Sequence, residues 1–311
     1  MKAIVTGASG FIGGHLTRHL AKEGHDVTAW TRGADVGLHD PTVSAARVDV
    51  LDAAAVAAAI AVADADVIFH LAAQSLPPRS WSVPVETMRI NVEGAINILE
   101  AVRAREGRRP RILLAGSSAQ YATGSSGHAI GEEAPMRADS PYAISKVAAD
   151  QFAELYARAF DLDIVRFRPF AWIGPGKTGD AASDFARRIV DIERGAPPRL
   201  VVGRTDTARD FIDVRDGVDA LLLLADKGKP GQTYNICRGA GTTIGEILAA
   251  FRDLAKVPFE VVQDPSLLRP VDEKVRIGDP ERIFGLGWRP RIPLAQSVHD
   301  ILVHWRERTR C

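Results

Sequence analysis

Three glycines near the start of the chain limit its fold more than any other feature. Gly7, Gly10 and Gly13 stand in TGASGFIGGHL, directly after the apolar run Ala3 to Val5 and at the opening of a helical pattern that runs from Phe11 to Glu23. Gly7 permits a tight turn, Gly10 lets backbone approach a diphosphate, and Gly13 lets helix and strand pack closely. The helix N-terminus then faces the phosphates. A glycine pattern in this context predicts dinucleotide binding rather than an ordinary strand-to-helix turn.

Strand-like and helix-like segments alternate after that turn. Strands are expected at Asp26 to Thr31, Ala45 to Asp49, Val67 to His70, Arg111 to Ala115 and Ile164 to Arg168. Helices are expected from an Asp52 cap through Ala63, over Val85 to Arg105, and from the YAISK segment to Phe160. Such alternation implies an α/β fold with a doubly wound parallel Rossmann-type sheet. Beyond Arg168 the rhythm loosens and Gly/Pro breaks multiply. We therefore expect a dinucleotide-binding domain at 1–170 and a smaller C-terminal substrate-binding lobe at 171–311, with elements near 208–237 returning to the main sheet.

Composition narrows the partners. The 311 residues carry a formal net charge of zero and no dense basic stripe, which argues against nucleic acid. Two cysteines, Cys237 and Cys311, do not make a disulfide framework and read as reduced thiols. No apolar run is long enough to cross a bilayer and no cleavable leader precedes the first strand, so the expected location is cytoplasmic, away from membranes. His15 and His19 have i, i+4 spacing, but no third ligand accompanies them. Solvent-facing histidines are the expectation, and no metal site is expected.

Tyr142 and Lys146 carry the chemistry. Four residues apart on a helix, they project from one face. A phenol with an ordinary pKa of about 10 needs a nearby positive charge to exchange a proton at neutral pH. Lys146 and a nicotinamide ring would supply it, and a shift of roughly three units is worth about 4 kcal/mol. Ser117 follows the fifth strand, where a hydroxyl can hold a reacting carbonyl oxygen. At the end of the second strand the chain reads AWTRG with no acid, so Arg32 is placed for a 2′-phosphate and NADP is favoured, with NAD possible. Asp49 is placed for the adenine amine. Phe11, Ile12, Val50 and Pro169 complete the candidate cofactor contacts.

These motifs together resemble an extended short-chain dehydrogenase/reductase of the nucleotide-sugar epimerase, dehydratase and reductase kind. The resemblance runs from TGASGFIGGHL through HLAAQS, NVEGAINILEA, GSSAQYA, SPYAISK and RPFAWIGPG to RDFIDVRD and LGWRPRIPL, nearly the whole chain. Its second half is most similar to GDP-4-dehydro-6-deoxy-mannose reductases. The resemblance implies a Ser117, Tyr142 and Lys146 triad supported by Asn91, with Leu71, Ala72 and Ala73 at the nicotinamide ribose. It implies Arg209 and Arg269 at the substrate diphosphate and Asp272 at the nucleotide. Surface salt bridges and a turn-forming acid are the alternative readings of these three. Ser75 and Ser118 are further substrate candidates. It also implies a homodimer through the helices at 85–105 and 142–160.

Two departures from the family pattern bear on the reaction. Where 4,6-dehydratases carry an acidic pair, this chain has Ser118 and Ala119, which leaves no general base there. Ala171 stands where relatives usually have a substrate-contacting asparagine. The expected reaction is NADPH-dependent reduction of a 4-keto group on a nucleotide-diphospho-4-keto-6-deoxyhexose. A nucleotide-sugar 4-epimerase with retained NAD is the alternative, and a non-catalytic dinucleotide sensor the remote one.

Overall fold

The computed structural model describes residues 1–33, 41–122, 129–267 and 273–308. Its strands are β1 Lys2–Thr6, β2 Asp26–Thr31, β3 Val43–Arg47, β4 Val67–His70, β5 Arg111–Ala115, β6 Ile164–Pro169, β7 Ala171–Ile173, β8 Arg199–Val202, β9 Ala208–Arg209, β10 Phe211–Asp213, β11 Thr233–Ile236, β12 Thr242–Thr243, β13 Glu260–Gln263 and β14 Val275–Arg276. Its helices are α1 Phe11–Lys22, α2 Ala53–Val62, α3 Pro77–Ser82, α4 Pro84–Met88, α5 Gly94–Ala104, α6 Pro141–Phe160, α7 Ala181–Glu193, α8 Val214–Lys227, α9 Ile244–Leu254, α10 Glu281–Phe284 and α11 Leu294–Arg308.

Seven strands form one parallel sheet in the order β11-β6-β5-β4-β1-β2-β3. Successive side chains leave a strand on opposite faces, so each buried strand feeds two cores. Ala3 and Val5 pack with Leu16 and Leu20 of α1 and Leu221 and Leu224 of α8. Ile4, one residue out of phase, packs on the other face with Val56 and Ile60 of α2, Leu99 of α5 and Ala149 of α6. A separate core joins α7, α9 and α11 through Phe185, Ile189, Phe251 and Ile301. The order of strand addition reverses between β1 and β4, and a ligand crevice is expected beyond the carboxyl ends of those strands.

Helix starts follow their side chains. Asp52 caps α2 by accepting the Ala55 N–H at 3.0 Å, and Ser140 caps α6 by accepting that of Ala143 at 3.3 Å. Pro141 stands in the first turn of α6, where its missing N–H costs nothing. Among the described residues no helix is long and apolar enough to cross a membrane.

Two boundaries differ from the sequence expectation. The third strand is Val43–Arg47, two residues earlier than Ala45 to Asp49, because its pairing ends where β2 does: Arg47 is opposite Thr31, and the Val48 N–H makes the last bond to the Thr31 carbonyl. The helix expected over Val85 to Arg105 is α4 and α5 joined by one π-helical turn, Arg89–Glu93. Such turns mark places where a side chain is needed at a phase the α-helix does not give. Asn91 lies in this one.

Candidate active site

Thr6, the last residue of β1, organises the crevice. Its hydroxyl oxygen accepts the N–H groups of Leu71 and Ala72 at 3.1 and 3.0 Å and lies 3.0 Å from His70 Nδ1. With both lone pairs taken, the hydroxyl proton goes to Nδ1, which assigns the ring proton to Nε2. Burial, with the charge of Lys146 second, pushes the His70 pKa down to about 3, so the ring is neutral. The loop after β4 is thereby laced to the glycine turn.

The turn itself is shaped by what its glycines lack. Gly7 has φ +68°, and a Cβ there would stand 2.9 Å from the Ala72 backbone. A Cβ on Gly13 would come within 2.2 Å of the Gly7 carbonyl oxygen. Helix α1 begins at Gly10, which has no side chain to cap the first amides, unlike the Asp52 and Ser140 starts of α2 and α6. Phe11, Ile12 and Gly13 line a cavity of about 920 Å³ at this point. An uncapped helix start in a cradle closed to side chains fits a dinucleotide diphosphate. Gly13→Ala should therefore weaken binding of NADPH by about 5- to 150-fold, from about 1–3 kcal/mol of overpacking at the turn. Fluorescence titration of the nucleotide checks this, and an unchanged Kd would contradict it.

The same cavity brings most of the expected residues together. Its lining includes Gly7, Gly10, Arg32, Asp49, Val50, Leu71, Ala72, Ala73, Ser75, Ser117, Ser118, Tyr142, Lys146 and Pro169. Arg209 is not in that lining; it lies in β9 and donates to the Ala208 carbonyl at 2.8 Å. Arg269 and Asp272 lie outside the described residues. Asn91 is buried behind the wall. It accepts the Gln74 N–H at 2.8 Å, donates to the Gln74 carbonyl at 3.1 Å, and donates to Ser145 Oγ at 2.8 Å. It thus ties the loop after β4 to α6, the action of a positioning residue.

Ser117, Tyr142 and Lys146 converge where β5 and α6 meet. The Ser117 N–H donates to Gln120 Oε1 at 2.6 Å, and Ser117 Oγ accepts from Ala119 N at 3.1 Å. The Tyr142 hydroxyl is near enough to Ser117 for that side chain to draw its pKa down. Lys146 Nζ donates to the Ala115 carbonyl at 2.8 Å. Burial pulls the Lys146 pKa down to about 8, opposed by the carboxylate of Asp150 one turn on. Burial raises the Tyr142 phenol above its ordinary value, and Ser117 acts the other way. At neutral pH the site is a protonated phenol beside a cationic amine, the arrangement of a proton donor.

His15 also differs from expectation. It does not face solvent but hydrogen-bonds through Nε2 to the Pro175 carbonyl at 2.8 Å, which fastens α1 to the 174–180 segment. Among the described residues no cluster of His, Cys, Asp and Glu is built to hold a metal. The sequence reading passed over Thr6, Gln74, Gln120 and Lys177 as site residues. For Lys177 the available signal was its place in a Gly/Pro-rich loop with Asp180 three residues on.

Residues 3–237 match the model of the NAD dependent epimerase/dehydratase family. The chain belongs to that family. Membership makes it an enzyme of the nicotinamide-dependent nucleotide-sugar class. The chain is 32% identical to a GDP-6-deoxy-D-mannose reductase of Pseudomonas aeruginosa, over 99% of this chain and 98% of that protein. The structure of RMD from Pseudomonas aeruginosa complexed with NADPH superposes with a TM-score of 0.84 at 30% identity, covering 99% of this chain and 100% of that one. The Thermus thermophilus UDP-glucose 4-epimerase complexed with NAD superposes at 0.87 and 28% identity, covering 98% and 99%. The seven-stranded parallel sheet flanked by helices is the architecture expected for this family.

Proposed function

We propose that this enzyme reduces the 4-keto group of a nucleotide-diphospho-4-keto-6-deoxyhexose, with GDP-4-dehydro-6-deoxy-mannose as substrate and NADPH as reductant. The observation that carries the reading is a protonated Tyr142, with Ser117 beside it, in one cavity with the glycine cradle and with Ser118 and Ala119 at the acid positions. Without a carboxylate there, loss of the neighbouring hydroxyl has no base. The similarity to a GDP-6-deoxy-D-mannose reductase supports the substrate.

Bound NADPH supplies the hydride. Ser117 orients and polarises the carbonyl, and Tyr142 gives its proton to the oxygen as charge develops there. Lys146 favours the resulting phenolate and holds the nicotinamide ribose. Arg32, at the end of β2, receives the 2′-phosphate, while Asp49 and Val50 border the adenine. Leu71, Ala72, Ala73 and Pro169 enclose the nicotinamide half. The substrate diphosphate falls to Arg209, whose strand partner in register is Arg276. Arg276 in turn donates to the Ser118 carbonyl and pairs with Glu273 at 2.5 Å. Val85 on α4 and Ile144 and Leu155 on α6 are 72%, 51% and 44% exposed, which supports a homodimer through those helices.

The likeness to an NAD-bound 4-epimerase favours the second reading, in which the hydride returns to the same sugar. Denaturing the purified protein and identifying the released nucleotide separates the two. A reductase releases little cofactor or exchangeable NADP, and an epimerase releases NAD in stoichiometric amount. The second result would overturn the reductase reading.

A further inference from the structure

Three described cations of the cavity, Arg79, Lys177 and Arg308, have no part in the account above. Lys177 lies between β7 and α7, in the 174–180 segment that also contributes Gly176, Thr178, Gly179 and Asp180 to the lining. Three glycines of positive φ bend this segment, Gly174 at +155°, Gly176 at +85° and Gly179 at +78°. It folds back over the start of α1. The bond from His15 to the Pro175 carbonyl fixes one point, and Leu76, packed against Gly179, meets the other end. Lys177 Nζ stands 5.7 Å from the Phe11 ring centroid, above the first residue of α1.

The charge balance of the cradle gives this position meaning. A helix N-terminus offers about half a unit of positive charge, and a diphosphate carries roughly two negative charges. The first turn of α1, Phe11-Ile12-Gly13-Gly14, has no basic side chain. Among the described cations of the cavity, Lys146 is held at the Ala115 carbonyl, Arg79 pairs with Glu86 at 3.0 Å, Arg32 stands at the end of β2, and Arg308 packs over Trp305. Lys177 is the one that reaches Phe11. Its present partners are the Trp172 carbonyl at 2.5 Å and Asp180 Oδ2 at 3.0 Å. Asp180 is not stranded by losing the lysine, because its Oδ1 caps α7 by accepting the Ser183 N–H at 2.9 Å.

We propose that Lys177 is a ligand for the dinucleotide diphosphate, exchanging Asp180 for phosphate when the nucleotide enters, so that the 174–180 segment closes the cradle electrostatically. This rests on the dinucleotide reading of the cavity. The alternative source of the same chemistry is the diphosphate of the nucleotide sugar. Titrations of NADPH and of GDP into wild type, Lys177→Met, Lys177→Arg and Asp180→Asn distinguish the two, with thermal midpoints checking that each variant is folded. Asparagine still caps a helix, so the last variant changes charge and leaves the start of α7 intact.

Lys177→Met should weaken NADPH about tenfold. Lys177→Arg should recover most of that loss, Asp180→Asn should bind at least as tightly as wild type, and GDP affinity should stay within about twofold throughout. Equal NADPH affinity in wild type and Lys177→Met would overturn the proposal. So would a loss that arginine does not recover, or a loss confined to GDP. A wild-type protein that binds no NADPH would instead reject the dinucleotide reading beneath it.

Discussion

Tyr142→Phe should lower turnover roughly a thousandfold, about 4 kcal/mol of barrier, while NADPH affinity stays within about twofold. The substitution removes one oxygen from a side chain that is 8% exposed. The neighbouring Ser117 keeps its N–H on Gln120, and its Oγ still accepts from Ala119. Lys146 keeps its bond to the Ala115 carbonyl. Cradle, crevice and loop are therefore intact, and only the proton donor is missing. Steady-state kinetics beside a binding titration check the split. Near-normal turnover would show that another group delivers the proton.

The second large effect concerns stability. Asp150→Ala should cost about 3–5 kcal/mol and lower Tm by on the order of 10 °C. Asp150 is wholly buried on α6, and its Oδ2 accepts from Arg166 Nη1 at 2.9 Å and Arg168 Nη2 at 3.0 Å. Both guanidiniums are buried on β6, at 8% and 2% side-chain exposure. Arg166 would retain Glu154 and the Gly231 carbonyl, and Arg168 the Tyr121 hydroxyl and the Glu132 carbonyl. Glu154 still pairs with Arg166 at 2.7 Å, but among the described residues no carboxylate is left on Arg168, whose charge is held out of water. The penalty comes from leaving Arg168 without a carboxylate rather than from any large net worth of the triad. Asp150 also sustains the charge of Lys146, so the variant pulls that amine further down. An unchanged Tm by calorimetry would contradict this reading of the network.

Much of the site was legible because its residues answer to local geometry. Gly7 and Gly13 are required by a positive φ and a 2.2 Å approach, constraints that appear in sequence as glycines at three-residue spacing between a strand and a helix. Tyr142 and Lys146 were legible because Ser140 and Pro141 announce the helix that presents them one turn apart. The shift of β3 by two residues was not, since VSAARVDV has no break to mark where pairing stops. Nor was the π-helical turn at Asn91, which depends on contacts to Gln74 and Ser145 far along the chain. Lys177 read as part of a loop, because its meaning comes from the fold of 174–180 over α1. The burial that raises the Tyr142 phenol is likewise invisible to spacing.

The most direct test of the proposed function is to follow the loss of NADPH absorbance with GDP-4-dehydro-6-deoxy-mannose generated in place by a dehydratase. The account predicts oxidation of one NADPH for each GDP-6-deoxyhexose formed. No oxidation with this substrate, from a protein that binds NADPH, would contradict the reductase assignment.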